Sequence, residues 1–275
     1  MNVIYLGERP ADHPEAIQDR STVENLGSAL AAMAQASTPQ DRILLVFIGH
    51  GSGQGEDAKF NLPGPDLTPQ ALDIMLSDFP TQTLAVVNTT SSSGPFLQAL
   101  SGPNRVIMTA TRSAQERNEA QFGGYFVEAL AEDGSDLDKD GRISLLEAFQ
   151  YATAEVTRYY EGLNLLATEH AQFDDNGDGE GSTEIGEEST DGWLARTFWV
   201  GSASAMAGVG VVPDSITDPE LIRLYEERAD LERRVQELRA LRGQMEEARY
   251  EAELEGLLVE LALKTREIRA RGGEG

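Results

Sequence analysis

Cysteine is missing altogether from the 275 residues, so no disulfide framework, thiolate metal site or thiol nucleophile can be built. No apolar run approaches the ~20 residues that cross a bilayer, which argues against a membrane span. No signal peptide is visible, and Met1-Asn2 leads straight into VIYL, leaving open a leader or an earlier strand before it. Positive charge is scarce: 22 Lys and Arg stand against 47 Asp and Glu, a net charge of −25. The deficit is uneven, with 17 acids against three bases between residues 132 and 191. Such a surface repels phosphate backbones and attracts cations, so nucleic-acid binding is not expected.

What is present alternates. Val3 to Leu6, Arg42 to Ile48, Leu84 to Val87 and Arg105 to Met108 are short apolar runs of strand character. Between them, Ser21 or Thr22 can cap a helix to about Ala36, and Thr68-Pro69 opens another through Ala71, Leu72, Met75 and Leu76. Continuous apolar strands alternating with helices predict an α/β fold, a mostly parallel sheet sandwiched by helices. Ligands of such sheets bind beyond the carboxyl ends of the strands. Here those ends lead into GHGSG, NTTSSSG and TATRSAQERN. The segment WLARTFWV, with Trp193, Phe198 and Trp199, reads as a returning or edge strand.

From Thr217 the pattern changes. Leu224, Leu231, Leu238 and Met245 recur every seven residues, the phase slips near 243–250, and Leu254, Leu257, Leu261 and Ile268 form a second stripe. One long helix with a stutter, or a helical hairpin or coiled coil over 217–271, both fit. Such helices either pack on their own domain or serve self-association or partner docking. The expected organisation is an α/β domain over 1–204, a linker over 205–216 and this helical module.

The twelve residues from Asp136 to Glu147 match an EF-hand calcium loop at its diagnostic positions. Asp136, Asp138 and Asp140 supply carboxylates, Gly141 the sharp turn, Arg142 a backbone carbonyl, Ser144 a direct or water-bridged contact and Glu147 the bidentate closure. Helical segments flank the loop, and the expected cofactor is Ca²⁺. A second run over 174–185 repeats half the pattern with Asp174, Asn176, Asp178 and Glu180. Its twelfth position is Ile185, leaving either a weaker site closed by Glu184 or Glu187, or a solvated turn.

His50 stands just past a buried strand between two glycines, which let the backbone turn tightly and leave the imidazole uncovered, as a general base requires. One strand later comes a turn of hydroxyls, Thr89 to Ser93, closed by Gly94. Together, LLVFIGHGSG and this turn resemble the caspase/legumain clan of peptidases over roughly residues 1–200, closest to a bacterial legumain-like group. Ser93-Gly94 matches the end of the clan's Cys-x-Ser-Gly motif, which puts Ser91 at the nucleophile position and His50 at the base position. The resemblance implies a specificity pocket drawing on the strand that precedes Arg112 and Arg117, which could hold an acidic peptide side chain. It also implies one further strand before Val3, and export of the protein, which suits calcium loops in an extracytoplasmic compartment.

The departure is the thiol. A serine needs an aligned base and an oriented imidazole, which a site built for sulfur rarely supplies. No carboxylate stands out in sequence to orient His50, although Glu56 and Asp57 are near. The expected function is therefore a pseudopeptidase: a calcium-binding, catalytically inactive domain that recognises a protein or peptide or scaffolds an assembly. The alternative is an active serine hydrolase using Ser91 and His50.

Overall fold

A computed structural model describes residues 2–39, 41–54, 57–131, 135–137, 142–186, 189–200, 218–240 and 247–271. Asp138, Asp140 and Gly141 of the first acidic loop, Glu56, Glu187, Met245 and the 205–216 linker lie outside them. The chain divides into two compact units. One comprises residues 2–135 and 144–198; the other takes 136–143 and everything from Trp199 onward.

The larger unit is α/β. After β1 (Leu6–Gly7) and β2 (Asp19–Arg20) come α1 (Val23–Ala36), β3 (Arg42–Phe47), β4 (Gly51–Gln54), β5 (Asp57–Phe60) and α2 (Pro69–Leu76). They are followed by β6 (Thr83–Asn88), α3 (Pro95–Leu100), β7 (Arg105–Thr109), α4 (Phe122–Ala131), α5 (Leu145–Gly162), β8 (Gln172–Asp174) and α6 (Trp193–Arg196). Helix starts follow local cap chemistry. Thr22 and Thr68 accept the N–H groups of Asn25 and Ala71 at the heads of α1 and α2. At the head of α5, Ser144 and Glu147 form a reciprocal capping box.

The main sheet has the order β3-β6-β7-β8; the first three strands are parallel and β8 is antiparallel. Register puts Ile43, Leu45 and Phe47 on the same face as Leu84, Val86 and Ile107. That face packs with Leu30 of α1, Leu72 and Leu76 of α2, and Phe96, Leu97 and Leu100 of α3. Met108 and Phe173 pair on the opposite face. There Phe173 meets Phe149 of α5 with ring centroids 5.1 Å apart, and Phe149 meets Phe122 of α4 at 5.8 Å. Both faces are thus covered by helices, as an apolar parallel sheet demands.

Two expectations need correction. Val3 to Leu6 does not enter the main sheet: only Leu6–Gly7 pairs, with Asp19–Arg20, and Val3 and Tyr5 are exposed. The Gln18 side chain takes the place of a ladder partner, accepting from Tyr5 N–H and donating to the Val3 carbonyl. The sequence following His50 is an antiparallel hairpin, β4–β5. The WLARTFWV segment opens in a helix, α6, because Asp175 reaches in from another part of the chain to accept its first N–H groups.

The second unit contains two long helices, α7 (Pro219–Ala240) and α8 (Glu247–Ala270). Lys264 pairs with Glu227 at 2.8 Å, and Arg271 approaches Glu220 at 3.8 Å, so the two run antiparallel as a hairpin. Leu221, Leu224, Tyr225 and Ile268 form its buried core. Within the same unit the Arg142 guanidinium lies 3.9 Å from the centroid of the Trp199 ring.

Candidate functional site

The hydroxyl turn leaves the carboxyl end of β6, a buried central strand. Asn88, its last residue, accepts from both the N–H (3.2 Å) and hydroxyl (2.8 Å) of Thr90. Thr89 donates its hydroxyl to the Phe47 carbonyl at 2.8 Å. Ser91 Oγ donates to the Gly51 carbonyl at 3.2 Å. Ser92 adopts the left-handed conformation (φ 57°), donating its hydroxyl to Ala114 and its N–H to the Glu116 carbonyl. Ser93 Oγ lies 3.1 Å from the Thr111 hydroxyl and accepts the Thr111 N–H, while Gly94 N–H donates to Thr111 Oγ1. All five hydroxyl residues are buried, with Ser91 the most open at 9% exposure.

Glycines make this lacing possible. A Cβ on Gly51 would fall 1.9 Å from the Ser91 carbonyl oxygen, and one on Gly94 2.2 Å from the Arg112 carbonyl carbon. The turn is therefore clamped between the chain that follows β3 and the chain that follows β7, backbone against backbone.

His50 comes near in chain order but does not join the network. Its side chain is exposed, and among the described residues its imidazole has no hydrogen-bond partner. Its carbonyl accepts the Asn61 N–H. Asp57 belongs to β5, in register with Gln54. A serine nucleophile needs its hydroxyl within hydrogen-bond reach of the base, and the base held by a third group. Ser91 gives its proton to a carbonyl instead.

An imidazole hydrogen-bonded to a carboxylate is found at His170, whose Nδ1 donates to Glu116 Oε1 at 2.6 Å. Glu116 also accepts the backbone N–H groups of His170 and Arg112. Its carboxylate pairs with Arg112 Nε at 3.2 Å. Arg112, expected to meet an acidic substrate, is thus already paired; Arg117 is exposed, with no partner among the described residues. Glu116, which ties β8, the β7–α4 connection and the hydroxyl turn together, carries no sequence signal. Its partners lie up to 54 residues away.

The acidic region is equally organised. Asp174 accepts from Gly177 and Gly179 N–H, both glycines being left-handed (φ 78° and 77°). Asn176 and Asp178 accept the N–H groups of Asp178 and Glu180. Ile185, in the twelfth position, is buried, and Glu184 is exposed. Asp191 accepts from the N–H groups of Asp175 and Asn176 and from the Ser182 hydroxyl. Asp175 caps α6 by accepting from Gly192, Leu194 and Ala195. Glu169 caps α4 by accepting from Gln121 and Phe122, and takes a further bond from the Tyr160 hydroxyl. Burial pushes the carboxyl groups of both Asp175 and Glu169 above the ordinary range, against the pull of these N–H donors.

In the first acidic loop, Glu147 Oε2 accepts the Ser144 N–H and hydroxyl, each at 2.8 Å. Asp136 and Arg142 are half-buried. In the chain, α4 ends at Ala131 before these residues and α5 begins at Leu145. Among the described residues no group of three or more His, Asp or Glu side chains is gathered to hold a metal ion. No described helix is long and apolar enough to cross a membrane. Compared with known protein families and curated proteins, the chain matches no family model and no curated relative.

Proposed function

We propose that the α/β unit is a caspase/legumain-like pseudopeptidase: a calcium-binding domain that recognises a protein or peptide without cleaving it. One observation carries the reading. At the nucleophile position, the Ser91 hydroxyl is turned into a buried turn and bonded to the Gly51 carbonyl, while the His50 imidazole makes no hydrogen bond to it or to any carboxylate among the described residues. A buried hydroxyl with an acceptor already satisfied has neither access to a substrate carbonyl nor a base to take its proton. Recognition then falls to the chain after β7, where exposed Arg117 offers a cation to an acidic peptide.

The residues suited to calcium are those of 136–147. The described donors are hard oxygens, as Ca²⁺ prefers, and the Ser144–Glu147 box fixes the closing end of the loop at the head of α5. Asp136, Asp138, Asp140, the Arg142 carbonyl, Ser144 and Glu147 would hold the ion. Its charge would neutralise carboxylates that repel one another in a chain of net charge −25. For the loop at 174–185, the Asp174 oxygens each keep a second lone pair beside the glycine N–H groups they accept. The buried Ile185 leaves that loop the weaker candidate.

One set of samples tests both halves. Chelator-stripped protein is titrated with Ca²⁺, followed by thermal melting, and incubated at each step with a peptide library. The melting temperature should rise, by the equivalent of about 2.7 kcal/mol once calcium reaches a hundred times its dissociation constant. Glu147→Gln should abolish most of that rise, and the peptides should come back uncut. An unchanged melt removes the calcium assignment. Cleavage that disappears in both Ser91→Ala and His50→Ala would replace the pseudopeptidase with a serine hydrolase.

A further inference from the structure

Helix α8 is apolar on two sides. Tyr250 and Ile268 are buried, the latter in the hairpin core with Leu221, Leu224 and Tyr225. Away from that seam, Leu258, Val259 and Leu263 are 41%, 53% and 52% exposed, and Ala262 is exposed beside them. At 3.6 residues per turn, Leu258 with Ala262 and Val259 with Leu263 form two adjacent rows. Leu258, Leu261, Ala262, Thr265 and Arg266 line an open groove of about 470 Å³ alongside them. A helix with apolar residues on more than one side is normally covered on more than one side.

Charge indicates the cover. In sequence, the first part of α8 holds Glu247, Glu251, Glu253, Glu255 and Glu260 against Arg249. The last part holds Arg266 and Arg269 against Glu267, while Lys264 and Arg271 are turned to Glu227 and Glu220 of α7. This order suits the helix's own dipole, and it also makes α8 complementary to itself when reversed. Placed antiparallel about a point between Glu260 and Leu261, two copies set Leu258 over Leu263 and Val259 over Ala262. The same register sets position 255, a glutamate, over Arg266, and position 251, a second glutamate, beside position 269, an arginine. The chain as a whole carries −25, yet α8 is close to neutral, so two copies repel little along this helix.

We propose that the outer face of α8 is a homodimer interface, occupied by the same face of a second copy in antiparallel register with rows seated in grooves. This does not depend on the pseudopeptidase reading. Sedimentation equilibrium of the full chain should give a mass near twice 29.8 kDa, falling toward 29.8 kDa on dilution. Leu258→Glu combined with Leu263→Glu should return 29.8 kDa at all concentrations with helical circular dichroism unchanged. A wild-type chain monomeric at every concentration overturns the interface, as does a dimer that survives the double variant. Because the chain has no cysteine, orientation can be read directly. Chains carrying Val259→Cys should cross-link with chains carrying Ala262→Cys faster than either does with itself, and the opposite preference overturns the antiparallel register.

Discussion

Gly94→Ala should cost the α/β unit about 3 kcal/mol, the upper end of what overpacking does. The added methyl would sit 2.2 Å from the Arg112 carbonyl carbon and 2.3 Å from the Ser113 nitrogen, and neither can swing aside as a side chain could. The clash would push the chain after β7 away from the hydroxyl turn. The bonds joining Ser93 and Gly94 to Thr111, and Ser92 to Ala114 and Glu116, all cross that gap. Urea denaturation would show the loss as a lowered midpoint at unchanged slope. Gly124→Ala is the matching control. It lies within α4 with nothing inside 4 Å of the new methyl, so alanine there should raise stability by roughly 0.5–1 kcal/mol. Equal effects at the two positions would mean that the turn is not clamped.

Asp175→Ala should be comparably severe. It removes the acceptor for three N–H groups at the head of α6, those of Gly192, Leu194 and Ala195. A buried donor left without a partner costs on the order of 1–3 kcal/mol, so a loss of at least about 3 kcal/mol is expected for the set. Asp175→Asn keeps one acceptor oxygen and should lose less. It also isolates the pH response. The Asp175 and Glu169 carboxyls are held above their unfolded values, so their protonated forms favour the native state. Their stabilising contribution is complete below the unfolded carboxyl range near 4 and is lost as pH rises through the raised folded values. The melting temperature should therefore climb as pH is lowered from neutral toward the unfolded carboxyl range, in the same direction as relief of the −25 net charge. Asp175→Asn should flatten that climb, and an unaltered slope would contradict the role given to its burial.

Local signals were the readable ones. Caps and prolines located the starts of α1 and α2, because a cap is a contact three residues long. Uninterrupted apolar runs located β3, β6 and β7, the parallel strands of the main sheet. Val3 to Tyr5 has the same composition but stays outside the main sheet, since composition reports strand character and not pairing. Trp193 to Arg196 reads as strand by its aromatics, yet it is a helix held by an aspartate 18 residues earlier. The site divides the same way. The turn and His50 were visible as motifs. Whether Ser91 meets an imidazole or a carbonyl depends on Gly51, and on a fit across 40 residues. Glu116 and Glu169 were invisible for that reason too: each joins its neighbours to partners 47 to 54 residues away, beyond any periodicity.

The reactivity of residue 91 decides between a clamp and a catalyst. The calcium-loaded full chain is treated with a fluorophosphonate probe, and adducts are located by mass spectrometry alongside Ser91→Ala and His50→Ala. The Ser91 hydroxyl, bonded to the Gly51 carbonyl, should carry no adduct, and the three proteins should give the same pattern. An adduct on Ser91 that vanishes when His50 is replaced would contradict the account.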